Sequence, residues 1–130
     1  MNIAVITGAS SGLGLEYVKA VYETRTDLDE IWIIARREDR LTELKNELGS
    51  TVIPLAFDIT DPQAIEKYTE LLKSKNATVK LLINNAGFGK LGNFDELPLQ
   101  ENARMVRLNC EALTVMTSVT LPFMNEHSEI

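Results

Sequence analysis

The stretch Ile3-Ala4-Val5-Ile6-Thr7-Gly8-Ala9-Ser10-Ser11-Gly12-Leu13-Gly14 joins an apolar run to a glycine-rich turn. The apolar run predicts a buried strand, and the spacing of Leu13, Tyr17 and Ala20 predicts a helix after the turn. Glycine has no Cβ, so a turn built from it can bring the backbone close to an anion. The N–H groups and the positive dipole at the start of the helix favour a phosphate there. The stretch therefore predicts a turn that binds a dinucleotide.

The size and charge of the chain limit the classes of protein to consider. Its 130 residues suffice for one domain, and its 45% apolar and 25% charged composition is that of an ordinary globular protein. The net charge of −6 argues against a nucleic-acid binder, because nothing offsets the repulsion from phosphates. No apolar run approaches the length of a membrane span, and the first residues lack the basic region of a signal peptide. We therefore expect a cytoplasmic protein with neither a nucleic acid nor a membrane as partner.

Cysteine and histidine are too rare to build a disulfide framework or a metal centre. Cys110 is the only cysteine, which rules out an intrachain disulfide. One His and one Cys argue against a structural zinc site, so we expect no bound metal. We expect Cys110 itself to be a small residue of the core.

Apolar runs alternate with helical patterns along the whole chain. The runs predict four strands, at residues 3–6, 31–35, 52–57 and 81–83. Helical patterns follow the first three strands, with apolar faces that begin at Leu13, Leu41 and Ala64. Asp61 and Pro62 provide an N-cap and a first-turn proline for the third helix. A long last helix is predicted from about residue 102 to about residue 124.

Strands that are apolar on both faces and alternate with helices predict a parallel sheet covered on both sides. Right-handed crossovers then give an α/β, doubly wound Rossmann-type sheet of strand order 3-2-1-4. Pro54 suggests that the third strand lies at an edge or that its pairing ends early. Residues 127–130 look like a turn into a fifth strand. We therefore expect residues 1–130 to form part of a dinucleotide-binding domain whose sheet is incomplete on its C-terminal side.

Four motifs occur in order along nearly the whole chain. They are Thr7-Gly8-x-x-x-Gly12-x-Gly14, Asp58 after the third strand, Asn84-Asn85-Ala86-Gly87 after the fourth, and Asn109 in the last helix. Together these motifs resemble the short-chain dehydrogenase/reductase family. A glycine pattern alone is a weak signal, whereas four motifs at compatible spacings are a strong one. The resemblance implies an oxidoreductase with a nicotinamide dinucleotide as cofactor.

The resemblance also implies a role for each motif. The glycine turn, braced by hydrogen bonds of Thr7, would hold the pyrophosphate, and Asp58 with Ile59 would hold the adenine. The Asn-Ala-Gly part of the third motif would line the adenosine side of the cleft, and Asn84 would help to tie the fourth strand in place. The cofactor-binding residues that we predict are Thr7, Gly8, Ser10, Ser11, Gly12, Leu13, Gly14, Arg36, Arg37, Asp58, Ile59, Asn85, Ala86 and Gly87.

The end of the second strand decides which dinucleotide we expect. Family members that prefer NAD tend to carry an acidic residue there, which bonds the ribose hydroxyls. Ala35 takes that place in this chain and is followed by Arg36 and Arg37. A carboxylate would repel a 2′-phosphate, whereas the planar guanidinium of Arg36 can grip it. NADP(H) is therefore favoured over NAD(H).

Simpler explanations stay open for the same residues. Arg36 and Arg37 can be a solvated strand end, with Arg40 paired to a nearby Glu. Asp58 can be a residue that only leads into the next helix, with Asp61 as the N-cap. The glycine turn can be a tight strand-to-helix connection without a ligand.

Asn109 is the one catalytic residue that we assign, because it matches the Asn that kinks the family's helix and holds a water in its proton relay. Active members also use a Ser and a Tyr-x-x-x-Lys pair beyond this Asn, in which the Lys lowers the pKa of the Tyr. No Tyr follows Tyr68 in this chain and no Lys follows Lys90. We therefore expect Asn109 to be structural in this chain and the chain alone to be inactive. It would be the cofactor-binding part of a longer enzyme that acts on a small carbonyl or alcohol.

The last helix carries apolar residues on more than one face, including Met105, Leu108, Val115 and Val119. An apolar surface this broad suggests that a second face is covered. Downstream strands and helices, or a second copy of the chain, would supply the cover, and we expect a homo-oligomer through this helix. The alternative is a non-catalytic dinucleotide-binding module that acts through a partner surface on the same helix.

Overall fold

Strands and helices alternate in the computed structural model, which describes residues 1–130. The strands are β1 (Asn2–Thr7), β2 (Glu30–Ala35), β3 (Val52–Ala56) and β4 (Thr78–Ile83). The helices are α1 (Gly12–Thr24), α2 (Glu38–Leu48), α3 (Pro62–Ser74), α4 (Leu99–Val106) and α5 (Leu113–Thr120). None of them has the length and apolar character that crossing a membrane requires.

The four strands form one parallel sheet in the order β3-β2-β1-β4, which confirms the predicted strand order. β3 lies at an edge of the sheet, where Pro54 stands opposite Ile33 and its missing N–H is tolerated. The strand order reverses at β1, because the chain adds β2 and β3 on one side before it returns to add β4 on the other. The carboxyl ends of β1 and β4 therefore meet at the switch point of a doubly wound sheet.

The core has two parts, one on each face of the sheet, because successive side chains of a strand point to opposite faces. Ile3 and Val5 of β1 pack on the face covered by α3 and α5. Ala4 and Ile6 pack on the other face, under α1 and α2. Helices therefore cover both faces, as the apolar strands predicted.

Buried polar groups in the first of these parts are paired. The Tyr68 hydroxyl lies 2.9 Å from Oγ1 of Thr120, which joins α3 to α5. Burial raises the pKa of Tyr68 to about 12, and the hydrogen bond with Thr120 only partly offsets it. The ring of Tyr68 also packs edge-on against Trp32, with 6.2 Å between centroids. The two contacts of Tyr68 together join α5 to α3 and α3 to the sheet.

β4 begins at Thr78, three residues before the predicted start at Leu81. The pairing register between β1 and β4 shifts after Val79, which stands opposite Ile3, and resumes at Leu81, which stands opposite Ala4. Lys80 is the extra residue of this bulge. A charged residue at a bulge interrupts the apolar run, and this explains why the sequence pattern predicted only the second half of the strand.

The expected fifth strand is present as a single paired residue. Glu129 bridges to Leu81 in parallel orientation on the side of β4 that faces away from β1. Its N–H donates to the carbonyl of Lys80 and its carbonyl accepts from the N–H of Leu82, both at 3.0 Å. The side chain of Arg25 holds the same residue through an ion pair of 3.4 Å with the Glu129 carboxylate.

The last helix, predicted over about residues 102–124, is interrupted around Asn109, where the family resemblance implied a kink. α4 begins at Leu99 and passes through a π-helical segment, Arg107–Ala112, into α5. The prediction that Cys110 is a core residue was wrong, because its side chain is exposed. The buried stripe runs through Ala112, Met116 and Thr120, and Cys110 lies on another face of the helix.

Candidate functional site

A cleft of about 410 Å³ opens at the carboxyl edge of the sheet. Eleven of the predicted cofactor-binding residues line it: Gly8, Ser10, Ser11, Leu13, Arg36, Arg37, Asp58, Ile59, Asn85, Ala86 and Gly87. Four further residues line it that the prediction did not include: Ile34, Ala35, Phe57 and Leu108. These four are apolar, and nothing in the sequence distinguishes them from core residues. The other three predicted residues do not line the cleft but shape the turn beside it; they are Thr7, Gly12 and Gly14.

The turn after β1 requires glycine at specific points. Gly8 and Gly12 have φ of +66° and +57°, in the left-handed region that favours glycine. A Cβ on Gly8 would lie 2.8 Å from the Cα of Ala86, and one on Gly14 would clash with the carbonyl oxygen of Gly8. The absence of side chains therefore lets the start of α1 pack against the turn and lets the turn pack against the segment after β4.

Thr7 joins the carboxyl end of β1 to that of β4. Its buried hydroxyl oxygen accepts the backbone N–H of Asn85 at 3.1 Å and that of Ala86 at 3.0 Å, and the hydroxyl donates to the carbonyl of Ile83 at 3.4 Å. The side-chain amide of Asn85 returns a hydrogen bond to the carbonyl of Gly8 at 3.1 Å. One hydroxyl and one amide therefore hold the turn and the segment after β4 together as a unit.

The first turn of α1 leaves its N–H groups without a side-chain cap. Ser11, the N-cap residue, makes no capping hydrogen bond, and the first turn contains no acidic residue. α3 shows the contrast, since Oδ1 of Asp61 accepts the N–H of Gln63 at 3.0 Å. Uncapped N–H groups together with the helix dipole favour an anion. The amino end of α1 is thus a place where a phosphate group fits.

Asp58 is not the N-cap of α3, which is Asp61. Its Oδ1 accepts the N–H of Thr60 at 3.0 Å and the hydroxyl of Thr60 at 2.7 Å. Oδ2 makes no hydrogen bond within the chain and stays available as an acceptor. Burial opposes ionisation of Asp58, but the hydrogen bonds from Thr60 and the charges of Arg36 and Arg104 outweigh it and lower the pKa. The carboxylate is therefore ionised at neutral pH.

Two guanidinium groups lie where β2 ends. Nη2 of Arg37 donates to Oγ of Ser10 at 3.3 Å, which ties the end of β2 to the glycine turn. Arg40 pairs with Glu43 at 3.4 Å, outside the cleft. Arg36 lines the cleft and makes neither a hydrogen bond nor an ion pair with another side chain. Its charge is thus available to an anion that enters from solvent.

Asn109 lies in the π-helical segment and holds the segment that follows β4. Its Oδ1 accepts the N–H of Phe88 at 2.9 Å, and its Nδ2 donates to the carbonyl of Phe88 at 2.8 Å. A Cβ on Gly87 would lie 3.0 Å from the same Oδ1, which leaves little room for a larger residue. Asn84 makes a parallel link, because its Nδ2 donates to Oγ1 of Thr117 at 3.0 Å. The side chain of Asn109 is therefore occupied by a structural contact.

Comparison with known proteins gives a consistent result. A family described as short chain dehydrogenase matches residues 2–129. A probable NADP-dependent dehydrogenase of Haemophilus influenzae is 36% identical over 122 residues, which cover 93% of this chain and 47% of the relative. The chain spans about half the length of the curated relatives that it matches most extensively.

Solved structures agree with this comparison. The crystal structure of serine dehydrogenase from Escherichia coli superposes with a TM-score of 0.81 at 28% identity, over 94% of this chain and 55% of the other. A short-chain dehydrogenase from Sphingobium yanoikuyae in complex with NADPH gives a TM-score of 0.77 at 31% identity, over 94% of this chain and 48% of the other. The Rossmann-type fold is common to all three proteins.

The packing of the turn predicts that Gly14→Ala destabilises the chain while Gly89→Ala does not. A Cβ at Gly14 meets the backbone of Gly8, whereas a Cβ at Gly89 meets nothing within 4 Å. We expect Gly14→Ala to lower the free energy of unfolding by about 2–3 kcal/mol, and Gly89→Ala to change it by less than about 1 kcal/mol. Urea unfolding followed by the fluorescence of Trp32 measures both. Equal stability of the two variants would contradict the close packing of the turn.

Proposed function

The chain belongs to the short-chain dehydrogenase family, and we propose that it forms the NADP(H)-binding part of an oxidoreductase acting on a small carbonyl or alcohol. When bound, a nicotinamide dinucleotide supplies or accepts the hydride in such a reaction. The observation that carries the proposal is the cleft at the switch point. Its walls combine a glycine turn, an uncapped helix terminus and a cation without a partner.

The residues of the cleft fit a dinucleotide. The shape of the turn supports this, because a side chain at Gly8 would fill the space beside Ala86. The uncapped amino end of α1 suits the pyrophosphate, and Oδ2 of Asp58 suits the amino group of an adenine. Ile59 and Leu108 offer apolar surface for a flat base. Asn85 and Ala86 line the same cleft.

The charge at the end of β2 supports NADP(H) over NAD(H). A 2′-phosphate needs a cation, and Arg36 lines the cleft without a partner of its own. Ala35 occupies the position at the end of β2 where an acidic residue would hold the ribose hydroxyls and repel the phosphate. The NADP-dependent relative from Haemophilus influenzae and the NADPH complex from Sphingobium yanoikuyae support the same choice.

A second candidate function is a non-catalytic dinucleotide-binding module. Residues 91–130 contain neither a Tyr nor a Lys, so the described chain lacks the proton-transferring pair of active family members. Val106, Leu113 and Leu121 are 62%, 40% and 51% exposed and give the last helix an open apolar face. We propose that a second copy of the chain covers this face in a homo-oligomer, whichever of the two functions holds.

Arg36→Asp tests the choice of cofactor. The substitution removes the cation and places a carboxylate beside the 2′-phosphate, so we expect NADPH affinity to fall about a hundredfold. NADH affinity should change by less than about threefold, because NADH has no such phosphate. Titration of cofactor fluorescence measures both constants. Arg40→Asp is the matched control, since it makes the same change of charge outside the cleft. Equal losses for NADPH and NADH would contradict the assignment.

Turnover separates the two candidate functions. We expect the 130-residue chain to bind NADPH and to leave its absorbance at 340 nm unchanged in the presence of simple ketones and aldehydes. The gene product that includes any sequence downstream of Ile130 should oxidise NADPH if the enzyme proposal is right. A downstream sequence without a Tyr-x-x-x-Lys pair would favour the module instead. Efficient turnover by the 130 residues alone would contradict the expected role of that pair.

A further inference from the structure

Arg104 lies beside the cleft without being part of the predicted site. Its guanidinium carbon lies 4.5 Å from the centroid of the Phe88 ring, in a cation–π contact. Arg104 precedes Leu108 by four residues, and Leu108 lines the cleft. Residues four apart lie on the same face of a helix, so the two side chains point to the same side. Arg104 therefore stands at the rim of the cleft, above Leu108.

The ring under Arg104 is held in place from two directions. Asn109 binds both the N–H and the carbonyl of Phe88, at 2.9 and 2.8 Å. The segment that continues from Phe88 is tied to the same helix by an ion pair of 3.7 Å between Lys90 and Glu101. With its backbone fixed, Phe88 presents a rigid ring. The guanidinium of Arg104 lies over that ring and makes no side-chain hydrogen bond or ion pair of its own.

Positive charges from two different elements act on Asp58. Arg36 approaches it from the end of β2 and Arg104 from α4, and both charges act on its carboxylate. The carboxylate is therefore within electrostatic reach of guanidinium groups from two different elements. Under the proposed function this end of the cleft holds the adenine, so the guanidinium of Arg104 is near the place where a flat aromatic base would lie.

We propose that Arg104, held by the Phe88 ring, forms the outer wall of the adenine end of the cleft and stacks on the base of the bound dinucleotide. The inference rests on the proposed function, because it needs a dinucleotide with its adenine near Asp58. Guanidinium groups stack on aromatic faces, and the planar cation of Arg104 is suited to this contact. Adenine is common to both cofactors, so Arg104 contributes to affinity without discriminating between NADP(H) and NAD(H).

Arg104→Gln and Arg104→Lys test the stacking, with Arg107→Gln as the control on the same helix. Arg107 is exposed, does not line the cleft and has no side-chain partner. Both substitutions at Arg104 should weaken NADPH and NADH alike, by about three- to tenfold, since neither replacement is a planar cation. Arg107→Gln should bind as the unmodified chain does. A loss confined to NADPH, or a Lys variant with unchanged affinity, would overturn the stacking role.

A double-mutant cycle tests whether Phe88 acts through Arg104. Phe88→Leu removes the ring and leaves the guanidinium, and we expect it to weaken both cofactors. The double variant Phe88→Leu/Arg104→Gln should bind no more weakly than Arg104→Gln alone, because the ring has no further effect once the guanidinium is gone. Additive losses would overturn the link between the two residues. Circular dichroism confirms that each variant is folded.

The same titrations distinguish this inference from the proposed function. An unmodified chain that binds neither NADPH nor NADH would contradict the proposed function itself. An unmodified chain that binds NADPH, together with Arg104 variants of unchanged affinity, would overturn only the role of Arg104.

Discussion

The close approach between the turn after β1 and the segment after β4 is the constraint on which the site depends. The hydroxyl of Thr7 accepts two backbone N–H groups from that segment, and Asn85 returns a hydrogen bond to Gly8. This approach is possible only because Gly8 and Gly14 carry no side chain. Buried hydrogen bonds of this kind are costly to break, since each unpaired group loses its solvation as well. The turn therefore keeps one shape, and that shape aims the amino end of α1 into the cleft.

The position of the cleft follows from the order of the strands. β1 is central, and the chain visits one side of it before the other. Its carboxyl end is consequently flanked by the end of β2, which carries Arg36, and by the end of β4, which carries Asn85. Asp58 follows β3 and reaches the same edge. Residues far apart in sequence thus meet at one edge, where a switch point leaves space for a ligand. The last helix completes the site through Asn109 and Leu108.

The strand order could be predicted from local signals in the sequence, whereas most residues of the cleft were predicted through the resemblance to the short-chain dehydrogenase family. The spacing of apolar residues and the length of apolar runs distinguish buried strands from amphipathic helices, and the spacing of the glycines indicates the turn. The start of β4 was missed because Lys80 lies at a bulge, and bulges interrupt periodicity. Cys110 was placed in the core because free Cys is among the most often buried residues, but it lies in the π-helical segment with its side chain exposed. Arg104 gave no signal, since its contact with Phe88 depends on tertiary packing.

Binding of a dinucleotide at the carboxyl edge of the sheet can be tested by nuclear magnetic resonance. The ¹⁵N-labelled chain is titrated with NADP⁺, and the chemical-shift change of each backbone amide is measured. With a dinucleotide bound at this edge, we expect the largest shifts on Gly8, Ser11 and Leu13 in the turn and on residues next to Asp58. The connections at the opposite edge, around Asp27 and Asn76, should keep their shifts. Shifts confined to that opposite edge, or no change at millimolar NADP⁺, would contradict dinucleotide binding at the carboxyl edge.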